Sequence, residues 1–394
     1  MSSNQMLRGE NIIIFSSDDW SSGLKTSKYH VARQLARHNR VLYVNSIGLR
    51  APTASGRDLR RIVDKLVSFS RIFADTPEGV FIHTPIAIPF RRSSRSVKLL
   101  NSNLLRFSIR AVQLRLSLKR PVVFAFVPTF NDVIGHLGEK AIAYYCIDDM
   151  RGYKDIDTAW FDREEERLLN RANCIINSAY SLHEGFAERG LASFHVPHGV
   201  DWSLFRKAVV EDLPVPDDLR DIPQPRLGFY GFLSDEWVDY PLLERIADRH
   251  PEWHIVLIGR PSADMDMDAV IKSPNIHYLG LKKFESLPAY TRHFSVGLIP
   301  FNLNALTLHC NPLKLLEYLS GGLPVVTTAI PEVERQYASD AYIAHSHDEY
   351  IDMCERALAE GSPEEREQRS AAAEKHSWER RAETISEIVR GYMR

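Results

Sequence analysis

The amino-acid sequence predicts an α/β protein built from two domains, each a doubly wound parallel sheet covered by helices. Short apolar segments alternate with amphipathic helical segments, the alternation stops at a proline-rich stretch, and it then begins again. Parallel strands require such alternation, because a crossover helix must return the chain before the next strand can pair. A chain of 394 residues also exceeds what one hydrophobic core usually spans.

The first domain is predicted over residues 1–206. Lys28–Arg37 has the spacing of an amphipathic helix and separates the first two strand candidates, as in a βαβ unit. The strand candidates are apolar or β-branched runs followed by polar turns or helices: Asn11–Ser16, Arg40–Asn45, Val122–Val127, Ala141–Ile147 and Cys174–Asn177.

Residues 207–225 are predicted to be a linker, because they hold five acidic residues, four prolines and little apolar periodicity. The second domain is then predicted over residues 226–376, and residues 377–394 are predicted to form an amphipathic helix that packs back on the first domain. The strand candidates of the second domain are Arg226–Tyr230, Ile255–Ile258, Ile276–Leu279, Val296–Ile299 and Pro324–Thr328.

Composition indicates a globular protein and excludes several classes. Hydrophobic residues make up 44%, charged residues 25%, and the net charge is -2. The four cysteines have neither close pairing nor metal-ligand spacing, and neither a signal peptide nor a membrane-spanning run is evident, so we expect a cytoplasmic location. A dinucleotide oxidoreductase is disfavoured because no Gly-x-Gly-x-x-Gly opens a helix after a strand.

The segment around Asn311 is the strongest candidate for a ligand site. Asn311 is predicted to cap a helix whose first residue is Pro312, and a helix start presents free N–H groups and a partial positive charge to a diphosphate. Lys314 lies in the first turn, and Glu317, one turn on, is suited to accept hydrogen bonds from ribose hydroxyls. The alternative is that Asn311 and Pro312 only start a helix and Lys314 is solvated.

The run Asn311–Val326 resembles the donor-binding signature of GT-B glycosyltransferases, in which the lysine faces the diphosphate and the glutamate the ribose. Further segments resemble motifs of the same superfamily, in its group 1 type of bacterial glycan glycosyltransferases, and they occur in the family's order. These segments are Tyr144–Asp149, Val196–Asp201, Leu227–Phe232, Asn275–Gly280, Leu287–Tyr290 and Val296–Pro300.

The resemblance implies a GT-B fold, with two Rossmann-like domains facing a central cleft. It implies transfer of a sugar from a UDP- or GDP-linked donor to a cell-surface polysaccharide or a lipid-linked oligosaccharide, with no metal and no cofactor beyond the nucleotide-sugar co-substrate. Gly231 falls in the glycine-rich first turn of the donor domain, and Arg260 and Lys282 fall in loops around the base and phosphates. Surface charge is the alternative for both cations.

Transfer requires stabilisation of the leaving diphosphate, for which Lys314 is the candidate, and inversion also requires a base. Asp148 and Asp149 end a predicted strand, and the motif match favours Asp148 as that base; helix caps or turn residues are the alternative. His309 stands where retaining enzymes usually carry a first glutamate, so the stereochemical outcome stays open.

The loop after the first strand is predicted to line the acceptor side through Asp18, Asp19 and Trp20, with a solvated turn as the alternative. Competing functions are a sugar-nucleotide epimerase, a phosphorylase on the same fold, and a catalytically silent protein that binds nucleotide sugar.

The region 86–120 carries nine Lys or Arg residues and no Asp or Glu, interleaved with apolar residues at helical spacing. Such a region favours an anionic membrane surface, and we predict peripheral association with the inner membrane face. A solvated helix is the alternative. Nucleic acid is not an expected partner, because no stacking platform or reading helix accompanies the charge.

Overall fold

A computed structural model describes residues 6–22, 25–46, 74–85, 95–153, 156–263 and 265–393. The chain divides into two compact units. The first comprises Met1–Val196 together with Arg381–Arg394, and the second comprises Pro197–Arg380.

The first unit contains a sheet whose described strands lie in the order β3-β4-β2-β1-β5-β6-β7-β8. All pair in parallel except β3, which runs antiparallel to β4. The strands are β1 (Asn11–Phe15), β2 (Arg40–Val44), β3 (Ala74–Asp75), β4 (Val80–His83), β5 (Val122–Ala125), β6 (Ala141–Cys146), β7 (Cys174–Asn177) and β8 (Ser193–His195). The helices are α1 (Ser27–Ala36), α2 (Arg95–Arg115), α3 (Thr158–Leu169) and α4 (Tyr180–Glu188).

The central strands of this sheet carry apolar side chains on both of their faces, so helices can cover them on both sides. Every residue of β5, β6 and β7 is buried, as expected for parallel strands covered by helices on both sides. The strand order reverses between β1 and β5, which pair in register from Ile12 with Val122 to Phe15 with Ala125. Ligands of open α/β sheets bind at the carboxyl ends of strands beside such a reversal.

The second unit contains a sheet of parallel strands in the order β11-β10-β9-β12-β13-β14, so its reversal lies between β9 and β12. The strands are β9 (Arg226–Leu233), β10 (His254–Pro261), β11 (Ile276–Tyr278), β12 (Val296–Ile299), β13 (Val325–Thr328) and β14 (Tyr342–Ala344). The helices are α5 (Trp202–Phe205), α6 (Lys207–Val210), α7 (Tyr240–Arg249), α8 (Met267–Val270), α9 (Leu287–Arg292), α10 (Leu313–Ser320), α11 (Pro331–Tyr337), α12 (His347–Leu358) and α13 (Pro363–Ala373). A last helix, α14 (Trp378–Arg390), crosses from the second unit into residues of the first.

Helix α10 is fixed over the strand-order reversal by Tyr318. Its hydroxyl accepts a hydrogen bond from the Tyr230 amide of β9 at 3.0 Å. Its ring covers Gly297 of β12 so closely that a Cβ there would lie 2.6 Å from a ring atom. At the end of the helix, Gly322 adopts a φ of 79°, and Leu323 N–H bonds back to the Tyr318 carbonyl. These contacts fix the carboxyl-terminal half of the helix on the sheet.

The strands predicted from the sequence are present, most with ends shifted by one or more residues; β9 and β10 extend beyond their predicted ends. Sequence analysis did not predict β3, β4, β8 and β14, which are short strands at or near sheet edges. Residues 207–225, predicted to be a linker, lie within the second unit and include α6. In the part of the chain that the structure describes, no helix is long and apolar enough to cross a membrane.

The end of the chain groups with the first unit. Arg390 donates a hydrogen bond to the Met6 carbonyl at 2.9 Å, and Ser386 lies against the sulfur of Met6. Of the basic region predicted to meet a membrane, residues 86–94 lie outside the described residues. The sequence also predicts that five cations nearer the amino end belong to the same cationic region, and these too lie outside the described residues: Arg57, Arg60, Arg61, Lys65 and Arg71.

Candidate functional site

Helix α10 begins one residue later than the sequence predicts. Pro312, not Asn311, occupies the capping position, and its ψ of 114° keeps the chain extended, so the first helical residue is Leu313. No side-chain hydrogen bond caps this described helix, and Asn311 is 3% exposed. The predicted capping role of Asn311 and the predicted first helical position of Pro312 are therefore wrong. Lys314 remains in the first turn.

Lys314 extends across the carboxyl end of β9. A Cβ on Gly231 would lie 2.2 Å from Lys314 Cε and 2.8 Å from its Nζ, so the lysine occupies the space that a side chain at position 231 would fill. The ammonium also lies 5.4 Å from the ring centre of Phe301 and 5.7 Å from that of Phe229. These ring faces attract a cation electrostatically. The sequence-predicted Gly231 and Lys314 are thus brought together.

Glu317 and Lys314 are one helical turn apart and electrostatically coupled. Burial raises the pKa of Glu317 to about 7, with Lys314 opposing the rise and Asp201 adding to it. Burial lowers the pKa of Lys314, and Glu317 opposes that change. Both side chains stay partly accessible to solvent. The arrangement offers a cation and an acceptor, side by side, to a ligand that carries negative charge and hydroxyl groups.

The backbone at this edge of the sheet is tightly packed. Gly259 of β10 has a φ of 154°, and a Cβ there would lie 1.8 Å from the Gly231 carbonyl oxygen. The loops after β9 and β12 are joined, because the side-chain amide of Asn302 donates to the carbonyls of Asp235 at 2.8 Å and Val238 at 3.1 Å. Asn304 adds a bond to the Glu236 carbonyl at 2.7 Å.

The cations Arg260 and Lys282, predicted to bind the donor, do not both lie free in loops after strands. Arg260 does not follow a strand: β10 continues to Pro261, and Arg260 pairs in register with Phe232 and is exposed. Lys282 does follow β11, but its ammonium is engaged by Asp218 at 2.5 Å. Asp218 also accepts from the Tyr290 hydroxyl at 2.8 Å.

Large apolar side chains are exposed at the carboxyl ends of the strands of the second sheet, at the end of β9 and in the segments that follow β11 and β12. They are Phe232, Leu281, Leu303 and Leu308, exposed by between 43% and 64%.

In the first unit, the loop after β1 is anchored rather than solvated. Asp18 Oδ2 accepts from Lys28 Nζ at 2.8 Å and from the Thr26 hydroxyl at 2.9 Å. Burial acts to raise the pKa of Asp18, but the charge and hydrogen bond of Lys28 outweigh it, so this pKa lies below its ordinary value. The Asp19 carbonyl accepts from Ser22 N–H at 3.0 Å.

Trp20 holds the same loop through tilted and edge-to-face contacts with two tyrosine rings. Its ring centre lies 4.7 Å from that of Tyr29 and 5.0 Å from that of Tyr43, and its backbone N–H donates to Asn45 at 2.9 Å. The predicted acceptor-side residues thus form one ordered cluster at the carboxyl end of β1.

Asp148 and Asp149, after β6, have different environments. Burial raises the pKa of Asp148 to about 6; Lys28 opposes this rise, and Asp18 and Asp149 add to it. Asp149 instead caps the turn Met150–Gly152 and pairs with Arg151 at 3.1 Å. A carboxyl group whose pKa lies at about 6 is mostly ionised at pH 7 and is able to accept a proton there.

Sequence analysis missed Lys28 and Asp201 as members of these clusters. Lys28 is 6% exposed, whereas a lysine in a helical pattern is ordinarily expected on the surface. Asp201 ends the motif Val196–Asp201, and the fold of the second unit brings its charge close enough to act on Glu317.

Comparisons with known proteins agree with this geometry. The family model described as Glycosyl transferases group 1 matches residues 224–360, which include Gly231, Lys314 and Glu317. A curated relative, the putative teichuronic acid biosynthesis glycosyltransferase TuaH of Bacillus subtilis, is 27% identical over 229 residues. That match spans 54% of this chain and 56% of the relative, so the chain matches about half of the relative's length.

Solved structures share the fold over nearly the whole chain. Anabaena HepE in complex with UDP and glucose superposes with a TM-score of 0.64 at 11% identity, over 97% of this chain and 99% of HepE. Sucrose-phosphate synthase of Thermosynechococcus elongatus superposes with a TM-score of 0.67 at 13% identity, over 97% of this chain and 98% of the synthase. These likenesses show the GT-B fold. With the family match over residues 224–360 and the curated relative, they show that this chain has the GT-B fold and is similar in sequence to group 1 glycosyltransferases.

Proposed function

We propose that this protein transfers a sugar from a nucleoside-diphosphate sugar, UDP- or GDP-linked, to a polysaccharide or lipid-linked oligosaccharide acceptor. The observation that carries the proposal is the position of Lys314, which lies over Gly231 beside the strand-order reversal of the second sheet. An ammonium group that lies against two aromatic rings, beside the start of a helix, suits the diphosphate of such a donor.

In this proposal Lys314 stabilises the negative charge that develops on the diphosphate as the glycosidic bond breaks. Partial burial strengthens the effect, because the field of the ammonium is less screened than in water. Glu317 accepts hydrogen bonds from the ribose hydroxyls. Phe232 and Leu281, exposed by 49% and 64%, offer apolar surface for the base.

Asp148 is proposed to take the proton of the acceptor hydroxyl. A pKa of about 6 leaves it mostly ionised at pH 7 and still basic enough to accept a proton in the transition state. Lys28 and Asp18 hold the surrounding loop and set the local charge. Asp149 has a positioning role through Arg151.

A cell-surface glycan acceptor is favoured by the curated relative, whose name assigns it to teichuronic acid biosynthesis. A lipid-linked acceptor is favoured by helix α2. Its buried face packs on the core through Leu105, Ile109 and Val112, whereas its opposite face exposes Phe107 by 75% and Leu114 by 70%. We propose that this face meets the anionic inner surface of the membrane, and that the protein acts in the cytoplasm, where its four free cysteines stay reduced.

The donor assignment is tested by a thermal-shift panel of nucleoside diphosphates and their sugars, because a ligand stabilises the fold according to its affinity. We expect one base to stabilise the protein in a saturable way. Lys314→Ala should weaken that binding by about 1.5–3 kcal/mol, the usual value of a charge-assisted hydrogen bond. Lys283→Ala, which removes an exposed lysine, is the control and should bind as the unaltered protein does.

Transfer itself is tested by incubating the stabilising donor with membrane lipid extract. Release of nucleoside diphosphate only when extract is present supports the proposal. Conversion of the donor without any acceptor would point to an epimerase, a requirement for free phosphate to a phosphorylase, and binding without turnover to a silent binding protein.

A further inference from the structure

A cavity in the second unit lies at the opposite end of the sheet from Lys314. Its volume is about 410 Å³, which is within the range of small-molecule sites. The segments before β9, β12 and β13 line it through Gln224, His293 and Pro324, and α9 and α13 contribute Arg292 and Arg366. Along β9, the amino end and Gly231 are separated by roughly 17 Å, at about 3.3 Å per residue.

Arg366 is the unusual group of this cavity. Its Nη2 donates to the Thr291 carbonyl at 3.1 Å, but within the described part of the chain its buried Nε has no acceptor, and no carboxylate is paired with it. Burial, together with the neighbouring charges of Arg292 and Arg369, lowers the pKa of Arg366 to about 10. A partly buried cation that has no carboxylate partner and lies beside two other cations destabilises the fold unless an anion binds next to it.

The carboxylates around the cavity do not neutralise the cluster formed by Arg292, Arg366 and Arg369. Arg369 is paired with Glu360, which also lines the cavity and accepts from the Tyr342 hydroxyl. Arg292 pairs at 2.8 Å with Asp212, whose side chain is 99% exposed and therefore strongly screened.

The His293 ring nitrogen bonds to the Leu213 carbonyl at 3.0 Å, and burial lowers the pKa of His293, so this ring is neutral near pH 7. A further cation, Arg226, lies close enough to lower this pKa as well. Arg226 is 6% exposed and donates to the Ile222 carbonyl at 2.7 Å. The positive charges near the cavity thus exceed the negative ones.

We propose that this cavity is a binding site for a phosphate group, free or carried by a small metabolite, held by Arg292 and Arg366. A phosphate carries up to two charges and accepts hydrogen bonds in several directions, so guanidinium groups from two different helices can bind it together. One guanidinium fork would satisfy a carboxylate by itself. The site is separate from the donor site and does not depend on the proposed transfer reaction.

The test is titration of the full chain with inorganic phosphate at constant ionic strength, with chloride as the reference anion, followed by calorimetry and by thermal shift. We expect a saturable response to phosphate that chloride does not reproduce. Arg366→Gln and Arg292→Gln should each raise the Kd for phosphate by about tenfold or more, as expected for loss of a charge-assisted contact. Arg220→Gln removes an arginine whose side chain is 66% exposed and should leave the Kd unchanged.

Phosphate could also bind at the donor site through Lys314, and the variant Lys314→Ala distinguishes the two sites. The phosphate response should survive in Lys314→Ala, although the response to nucleoside diphosphate is weakened. A response lost in Lys314→Ala and kept in Arg366→Gln would overturn the proposal, and so would the absence of any phosphate-specific response in the unaltered protein. Should Arg366→Gln not fold, Arg292→Gln decides, since the carboxylate that pairs with Arg292 is 99% exposed and stays solvated when the arginine is removed.

Discussion

The side chain of Lys314 lies directly on the backbone of Gly231, with its Cε 2.2 Å from the point where a Cβ would stand. The two residues belong to different elements, α10 and β9, and Tyr318 joins these elements by accepting the Tyr230 N–H. The absence of a side chain at position 231 therefore determines where the ammonium group lies. This relationship links a glycine in a strand to the electrostatics of a proposed diphosphate site.

Gly231→Ala is predicted to weaken nucleoside-diphosphate binding without unfolding the protein. The new methyl group meets the flexible end of a lysine, so Lys314 moves and the fold adjusts. Loss of its contact should raise the Kd by about tenfold or more, measured by calorimetry. Gly185→Ala is the matched control, because a Cβ there meets nothing within 4 Å. Unchanged affinity in Gly231→Ala would show that Lys314 does not bind the diphosphate.

Sequence analysis found Lys314 and Glu317 together because they lie one turn apart on one helix, a local relationship that spacing reveals. It found Gly231 only through a resemblance to a known family. The contact of Gly231 with Lys314 depends on the strand order, and residue spacing does not contain that information. The position of Asn311 was wrong because the extended ψ of Pro312 delays the helix.

In the first unit, too, local features were predicted from the sequence and features that depend on tertiary packing were missed. The buried central strands were predicted from their apolar runs, whereas β4 and β8 were missed, since both are short and only partly buried. Lys28 was placed on an amphipathic helix, but its burial against Asp18 needs the loop after β1 to fold back over α1. Tertiary packing, not local pattern, creates that ion pair.

Glu317→Gln is predicted to reduce discrimination between ribose and deoxyribose nucleotides. The carboxylate accepts hydrogen bonds from a ribose hydroxyl more strongly than an amide does. Because burial raises its pKa to about 7, the discrimination in the unaltered protein should increase as pH rises from 6 to 8. Calorimetry with a nucleoside diphosphate and its 2′-deoxy analogue measures it. Equal losses for both nucleotides would remove the ribose contact; Glu285→Gln, at an exposed position, is the control.

Asp148→Asn is predicted to abolish transfer, keep donor binding and raise stability at neutral pH. The Asp148 carboxyl has a pKa of about 6 in the folded protein, against 3.8 for an ordinary solvated aspartate. The folded state therefore binds the proton of Asp148 more tightly than the unfolded state does. The carboxylate therefore destabilises the fold as pH rises from about 4 to 6 and above. Its removal should stabilise the protein at pH 7 by about 1–3 kcal/mol, a figure reduced for partial solvent access.

Chemical denaturation at pH 4 and pH 7 measures that effect, and the pH dependence of transfer gives a second readout. Activity of the unaltered protein should fall as pH decreases through about 6, when Asp148 gains its proton. Asp149→Asn serves as the comparison: it weakens the contact with Arg151 and should lower stability instead. Full transfer activity in Asp148→Asn would exclude this residue as the base.

Helix α2 exposes an apolar face flanked by cations. Leu100, Phe107 and Leu114 recur every seven residues, so they lie on one face of the helix, exposed by 48%, 75% and 70%. Arg106 and Arg110 are exposed beside this face and donate to backbone carbonyls of Asp132 and His136. Apolar side chains flanked by cations match the interface of an anionic bilayer, where each phenylalanine or leucine contributes burial and each arginine meets a headgroup.

The double variant Phe107→Ser, Leu114→Ser should lose flotation with phosphatidylglycerol vesicles while keeping its melting temperature, because neither side chain is in the core. Val210→Ser, which alters an apolar side chain exposed by 57% in the second unit, should float as the unaltered protein does. Flotation should also decrease with salt and fail with neutral vesicles, since the arginines contribute through screened attraction. Binding that is equal for both vesicle types, or unaffected by the double variant, would assign α2 no role at the membrane.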